Sequence, residues 1–239
     1  MTMASIATSS PAAALRLLMG EFAQMAALVE TQLNEAITAL ERRDVALAER
    51  VVKSDLKVDA YHRRVDDRAL AILRAGSLND RQFREAASLV KLSADLERVG
   101  DLAKNVAKRT IAVAHETPSP PAVAGVVRMG RASLRQLSDI LNAHQSGNLD
   151  AAQAVWRGDN DLDELYNSLY REVVAAMSGP RGDVTPGVHL LFIVKNFERI
   201  GDHATNIAEA IYFVETGAHF VEERPKGDDL GAAPSAERS

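Results

Sequence analysis

Glu97-Arg98-Val99-Gly100-Asp101-Leu102-Ala103-Lys104-Asn105 returns 101 residues later as Glu198-Arg199-Ile200-Gly201-Asp202-His203-Ala204-Thr205-Asn206. An internal repeat decides architecture before any other feature is read. Repeated packing alone would bring back only the apolar positions. Here Glu, Asp and Asn return as well, at i, i+4 and i+8, which is one stripe on one helix face. The chain reads as two copies of one helical unit, each with the same polar constellation.

Working outward from the first copy, the periodicity predicts a helix from Leu15 to about Leu40 and a second from Asp44 to Arg74. Ala75-Gly76-Ser77 breaks the pattern, and Asn79 or Asp80 caps a third helix, because a side-chain oxygen accepts from the free amides of a first turn. That helix runs to about Ala114. Glu116-Thr117-Pro118-Ser119-Pro120-Pro121 then interrupts. Three more helices are expected at about Ala122–Gln145, Leu149–Met177 and Gly187–Thr216, the last two separated by Ser178-Gly179-Pro180-Arg181-Gly182-Asp183.

No alternation of period two occurs. The expected fold is therefore all-α, two tandem pseudo-symmetric three-helix bundles of long helices. The expected boundaries are a disordered N-terminus at 1–11, a first unit at 12–115, a Pro-rich linker at 116–121, a second unit at 122–219 and a disordered tail at 220–239. Apolar residues step by three and four through Leu89, Leu92, Leu96, Val99, Ala103 and Val106, and again through Leu190, Ile193, Phe197, Ile200, Ala204, Ile207, Ile211 and Val214. These are bundle seams.

Composition narrows the function. The 239 residues carry a net charge of −5 with acid and base interspersed, so a nucleic-acid binder is not expected. The absence of cysteine removes disulfides, thiolate metal sites and cysteine nucleophiles. Met1 to Pro11 lacks the basic and apolar regions of a secretory signal. No apolar run is expected to reach the roughly 18–20 residues of a membrane span, which points to a cytoplasmic protein.

The polar stripe falls outside the apolar seam, facing outward or into a groove between helices. A second pair of acids, Asp55 and Asp59, lies on the second helix at i and i+4, and Asp159 and Asp163 lie correspondingly on the fifth. Neighbouring antiparallel helices would set these stripes against each other across one groove. Like charges gathered this way repel and need either Lys and Arg neighbours or a bound cation. Oxygen ligands suit Mg²⁺, Mn²⁺ and Ca²⁺, and also iron and zinc at carboxylate sites. The glycine before each Asp costs up to about 1 kcal/mol within a helix. Its return implies that a Cβ there would obstruct either a neighbouring helix or access to the carboxylates. A solvated acidic face, with Arg98 and Arg199 pairing with nearby acids, is the plain alternative.

The doubled Glu-Arg-[Val/Ile]-Gly-Asp-x-Ala-x-Asn segment, about 100 residues apart in a chain of six helices, resembles the PhoU family of phosphate-uptake regulators. The resemblance covers about Leu15 to Thr216. It implies a three-helix bundle for each repeat. It also implies metal clusters, iron or zinc and alternatively manganese or magnesium, at Glu97, Asp101, Glu198 and Asp202, with Asp55, Asp59, Asp159 and Asp163 as partners. Asn105 and Asn206 match the motif as lesser ligands. The segment Asn79-Asp80-Arg81-Gln82-Phe83-Arg84 departs from the family's Asp-Leu-Arg element. The resemblance further implies a cytoplasmic regulatory adaptor, peripheral to the inner membrane through its partners. Those partners are the ATPase subunit of a phosphate ABC transporter (PstB-like) and a sensor histidine kinase (PhoR-like), with homodimerisation. No nucleic acid, organic cofactor or membrane insertion is expected.

Other classes fit less well. A ferritin-like di-metal enzyme or metal-storage bundle needs Glu-x-x-His, which is absent. A phosphotransfer bundle needs an exposed His, yet none of His62, His115, His144, His189, His203 and His219 has a partner in the other repeat. No nucleophile–base pair, phosphate-cradling loop or nucleotide motif is present, and no enzymatic activity is expected.

Overall fold

The computed structural model describes residues 10–116, 120–179 and 184–220. They form α1 (Pro11–Arg42), α2 (Val45–Ala75), α3 (Asp80–Val113), α4 (Pro120–Ser146), α5 (Leu149–Arg157), α6 (Asp159–Met177) and α7 (Val184–Thr216), with no strand among the described residues. The α5 and α6 segments stand where one helix was expected, so the six-helix plan holds with one rod interrupted. α1, α2 and α3 pack on one another, and α4 packs with α5, α6 and α7. The trios join through α3 against α7 and α1 against α4. The two motif helices therefore lie side by side at the centre.

The interruption has a local cause. Gly158 closes α5, its N–H reaching the Ala154 carbonyl at 3.0 Å, and opens α6 without a side-chain cap. Glycine holds a helix weakly because its backbone has more freedom to lose. The aligned residue of α2 is Ser54, whose Oγ donates to the Val51 carbonyl inside an unbroken helix.

One continuous apolar core runs through both trios. Both predicted seams are buried up to Ile211, with Val214 half-buried at the end. α1 contributes Phe22, Met25, Val29, Leu33 and Ile37, at steps of three and four. Contrary to the sequence expectation, α1 is long and apolar enough to cross a membrane, with a mean hydropathy of 1.4 over its best window. Part of that apolarity serves the core, since α1 packs against α2, α3 and α4 and 39% of the apolar window is buried. A helix apolar on most sides is what a buried position requires.

Several boundaries move. α1 begins at Pro11, where Ser10 Oγ accepts from the Ala13 N–H at 3.3 Å, and α4 begins at Pro120. Proline suits a first turn, whose N–H groups lack intrahelical partners. α7 likewise accommodates Pro186 in its first turn. Asn79 caps α3 in a reciprocal capping box with Gln82. The expected tail began at 220, yet Phe220 stacks on Trp156 and Tyr212, with centroids 4.6 and 4.2 Å away. The expected disordered segments at 1–9 and 221–239, and 117–119 of the expected linker, lie outside the described residues.

Polar contacts fix the two trios. Arg131 of α4 donates to Asn34 at 2.5 Å, and its guanidinium lies 3.1 Å from Glu41, both on α1. His203 Nδ1 lies 2.8 Å from Asp95 Oδ1 between α7 and α3, and Asn206 donates to the same oxygen at 3.2 Å. The departing segment, which forms the cap and first turn of α3, binds the end of α7: Arg81 pairs with Glu215 at 2.7 Å, and Arg84 donates to the Val214 carbonyl.

Candidate carboxylate clusters

Each trio sets an acidic stripe of its motif helix against the acids of the helix beside it. In the first, Asp55 and Asp59 on α2 meet Glu97 and Asp101 on α3. Asp55 is only 4% exposed. The Lys104 ammonium bridges Asp55 Oδ2 and Asp101 Oδ1, tying α2 to α3 at 2.5 Å from each oxygen. Burial alone would lower the Lys104 pKa, but hydrogen bonds to Asp101 and Asp55 outweigh it and hold the group above its ordinary value. Arg98 lies 3.5 Å from Glu97 and 3.6 Å from Asp101. Burial raises the Glu97 pKa, aided by the neighbouring charges of Asp101 and Asp59 and opposed by Arg98 and His62.

In the second trio, Asp159 and Asp163 lie on α6 and Glu198 and Asp202 on α7. Asp159 is 2% exposed and Glu198 7%. Lys195 donates to Glu198 Oε1 at 2.8 Å, whereas Oε2 is buried with no hydrogen-bond partner. Burial raises the Glu198 pKa; the Lys195 bond opposes this, and the charges of Asp202 and Asp163 add to it. The predicted acids thus gather as two clusters in interhelical grooves, although Asp55, Asp159 and Glu198 are more deeply buried than an outward stripe implies. The motif amides divide. Asn105 is exposed, and Asn206 turns to Asp95 across the trio interface.

The repeated glycines answer to packing. A Cβ on Gly100 would lie 3.2 Å from both Gln32 Oε1 and Val58 Cγ1, and one on Gly201 would lie 2.5 Å from Leu162 Cδ2 and 3.1 Å from Gln136 Oε1. Helix approach, not access to the carboxylates, is what these glycines permit. The same contacts reveal a pair that the motif search missed. Gln32 of α1 donates to Asp55 Oδ1 and Gln136 of α4 to Asp159 Oδ1, each at 3.4 Å. Gln32-Leu33-Asn34-Glu35 and Gln136-Leu137-Ser138-Asp139 carried that signal in the sequence.

Carboxylate oxygens are donors that iron, zinc, manganese and magnesium accept. Among the described residues, no three His, Asp or Glu side chains form a ready-made ligand set. The first cluster does not fit an added cation, because the Lys104 ammonium stands between Asp55 and Asp101. The second offers one unpartnered donor, Glu198 Oε2, beside the Lys195 ammonium that holds Oε1.

Two expectations follow. Lys104→Met strands the Asp55 carboxylate and is expected to cost about 2 kcal/mol, less than the roughly 3–5 of a fully buried pair because Lys104 is partly exposed. Urea denaturation of Lys104→Met and Asp55→Asn/Lys104→Met checks this, with the double variant regaining part of the loss. Because the folded state holds the Glu198 proton to higher pH than the unfolded chain does, this group subtracts stability as pH rises through its folded value. Glu198→Gln is therefore expected to be at least as stable as wild type at pH 7.5, by up to about 1 kcal/mol. A denaturation series from pH 4.5 to 8 reads the flattened slope.

A PhoU domain family model matches residues 22–110 and 126–211, one match per trio. A phosphate-specific transport system accessory protein PhoU homolog of Caulobacter vibrioides is 37% identical, over 89% of this chain and 93% of its own. Its counterpart in Rhizobium meliloti is 38% identical, over 90% of each. The crystal structure of PhoU from Pseudomonas aeruginosa superposes with a TM-score of 0.84 at 31% identity, over 87% of this chain and all of that one. With the doubled motif on adjoining central helices and both halves matched by one domain family, this chain belongs to the PhoU family.

Proposed function

We propose that this chain is a negative regulator of phosphate uptake and phosphate-starvation signalling that works by protein contact rather than turnover. It connects the ATPase subunit of a phosphate ABC transporter to a sensor histidine kinase, from the cytoplasmic side of the membrane, as a homodimer. The observation that carries the reading is the similarity to transport-system accessory proteins along nearly the whole chain, including both motif copies. Two rigid helical trios joined by a shared core offer long faces to two partners at once. Of the two carboxylate clusters, the second, Glu198, Asp202, Asp159 and Asp163, would hold a metal ion, whereas in the first, Glu97, Asp101, Asp55 and Asp59, the Lys104 ammonium stands where the ion would. When bound, such an ion supplies charge neutralisation and links two helices. Gln32 and Gln136 orient the buried Asp of each cluster.

Co-purification tests the adaptor reading. The full chain is expected to retain the transporter ATPase and the kinase's cytoplasmic region at roughly equimolar ratio. A folded chain that retains neither at micromolar concentrations contradicts it.

A further inference from the structure

We infer that the start of α7 and the end of α3 form a docking edge for an anionic phospholipid surface, with Val188 and Phe192 entering the interface and Lys108, Arg109 and Arg199 meeting the headgroups. This contact goes beyond the adaptor role and holds whether or not that role does.

Leu17, Leu56, Leu70 and Phe83 are exposed singly on α1, α2 and α3, and scattered apolar side chains of that kind are ordinary. Val184, Val188 and Phe192 differ. They are 60%, 38% and 50% exposed and recur at i, i+4 and i+8, which is one stripe on α7. By steps of three and four the stripe continues into the exposed Lys195 and Arg199.

α3 runs antiparallel beside it, since Arg81 meets Glu215 while Arg109 meets His189. The Arg109 guanidinium lies over the Phe192 ring, 3.9 Å from its centroid, and Nη1 lies 3.5 Å from His189 Nδ1. Burial lowers the Arg109 pKa, and no carboxylate charge opposes it. Among the described residues, Lys108, Arg109 and Arg199 form no ion pair. A cation that loses water without a counter-charge is completed by an anion brought from outside. The charge along this edge is one-sided. Residues 105–115 of α3 and 184–197 of α7 contain no Asp or Glu, in a chain of net charge −5. Asp202 lies roughly 15 Å along the α7 axis from Phe192, so an anionic surface meets the basic end of this face, away from the carboxylate clusters.

The stripe is a ridge, not a groove. The groove between α4 and the α5–α6 rod and the two cavities beside His144 take none of its residues. A partner helix seats its apolar face in a groove. A bilayer interface instead accepts raised apolar side chains, with lysine and arginine reaching to the phosphates. Anionic lipid then supplies the counter-charge that these cations lack within the chain.

Co-sedimentation of the full chain with vesicles tests the inference, using phosphatidylglycerol and phosphatidylcholine in equal parts against phosphatidylcholine alone. Wild type is expected to bind the anionic vesicles roughly tenfold more tightly than the neutral ones, and less tightly as salt rises. Phe192→Ser and Lys108→Glu/Arg199→Glu are each expected to weaken that binding roughly threefold or more. Arg16→Glu and Phe83→Ser, exposed near the starts of α1 and α3, are expected to leave it unchanged. Circular dichroism reports folding, and Val188→Ser replaces Phe192→Ser if the latter unfolds. Wild type that ignores the anionic vesicles overturns the inference. So does binding that Phe192→Ser leaves intact, or that Arg16→Glu and Phe83→Ser weaken equally, because the attraction is then diffuse. A photo-crosslinker at Val188 that captures a second copy or another protein, while vesicles fail to bind, assigns the edge to protein contact and also overturns it.

Discussion

Phe197→Ala is expected to lower the unfolding free energy by about 4 kcal/mol, within the roughly 3–5 found for buried Phe truncations. Phe197 is fully buried in α7. Its ring tip would lie 2.7 Å from a Cβ on Gly130 of α4, a point also 3.0 Å from Ile37 of α1. One side chain thus plugs the junction of three helices and both trios. Truncation leaves a cavity that the surrounding rods cannot close without moving together. Chemical denaturation at unchanged slope reads the effect as a lower midpoint. A loss below about 1 kcal/mol would mean that the junction relaxes freely, against the single shared core. Gly130→Ala probes the same place from the other side, with an overpacking cost of about 1–3 kcal/mol.

The second large effect is on acid stability. Burial pushes the His144 imidazole down to about 4 from its ordinary 6.5. The ring lies 4.9 Å from Phe22, in the last turn of α4, where the helix dipole favours a cation. Loss of hydration outweighs the dipole. The unfolded chain takes up a proton below about pH 6.5 while the folded chain resists, so stability falls as pH drops from there towards 4. The full shift corresponds to about 3 kcal/mol. His144→Phe removes the proton site and is expected to lose less stability than wild type between pH 7 and 4.5. Parallel pH slopes for the two proteins would contradict the assignment.

Much of this was legible because long helices write their period into the chain. The seams of α3 and α7, the Asn79 cap and the doubled motif all stand where periodicity and spacing put them. What escaped had no periodic trace. Lys104 reads as an ordinary surface residue, since its aligned position in the second copy is Thr205; its bridge to Asp55 exists only once α2 and α3 are packed. Gly158 looks like a tolerable helix glycine until its α2 counterpart, Ser54, shows a continuous rod for contrast. Gln32 and Gln136 lie on the first helix of each unit, far from the motif in sequence, and only bundling brings them to the buried Asp. The repeated glycines left two explanations open, and the contacts of Val58 and Leu162 choose helix approach.

These local findings bear on function through rigidity. A contact regulator must present fixed faces, and the core shared by α1, α3, α4 and α7 joins the two trios. The ion-pair bridge through Lys104 clamps α2 to α3 without outside help. In the second trio the rod opposite α7 is interrupted, and its cluster holds the carboxylate oxygen without a donor.

The most direct test of the central claim is phosphate uptake itself, measured with radiolabelled phosphate in phosphate-replete cells lacking this chain and in cells to which it is restored. The account predicts that uptake rises several-fold when the chain is absent and returns to the starting rate when wild type is supplied. Uptake that is the same with and without the chain, in cells whose transporter is present and active, would contradict it.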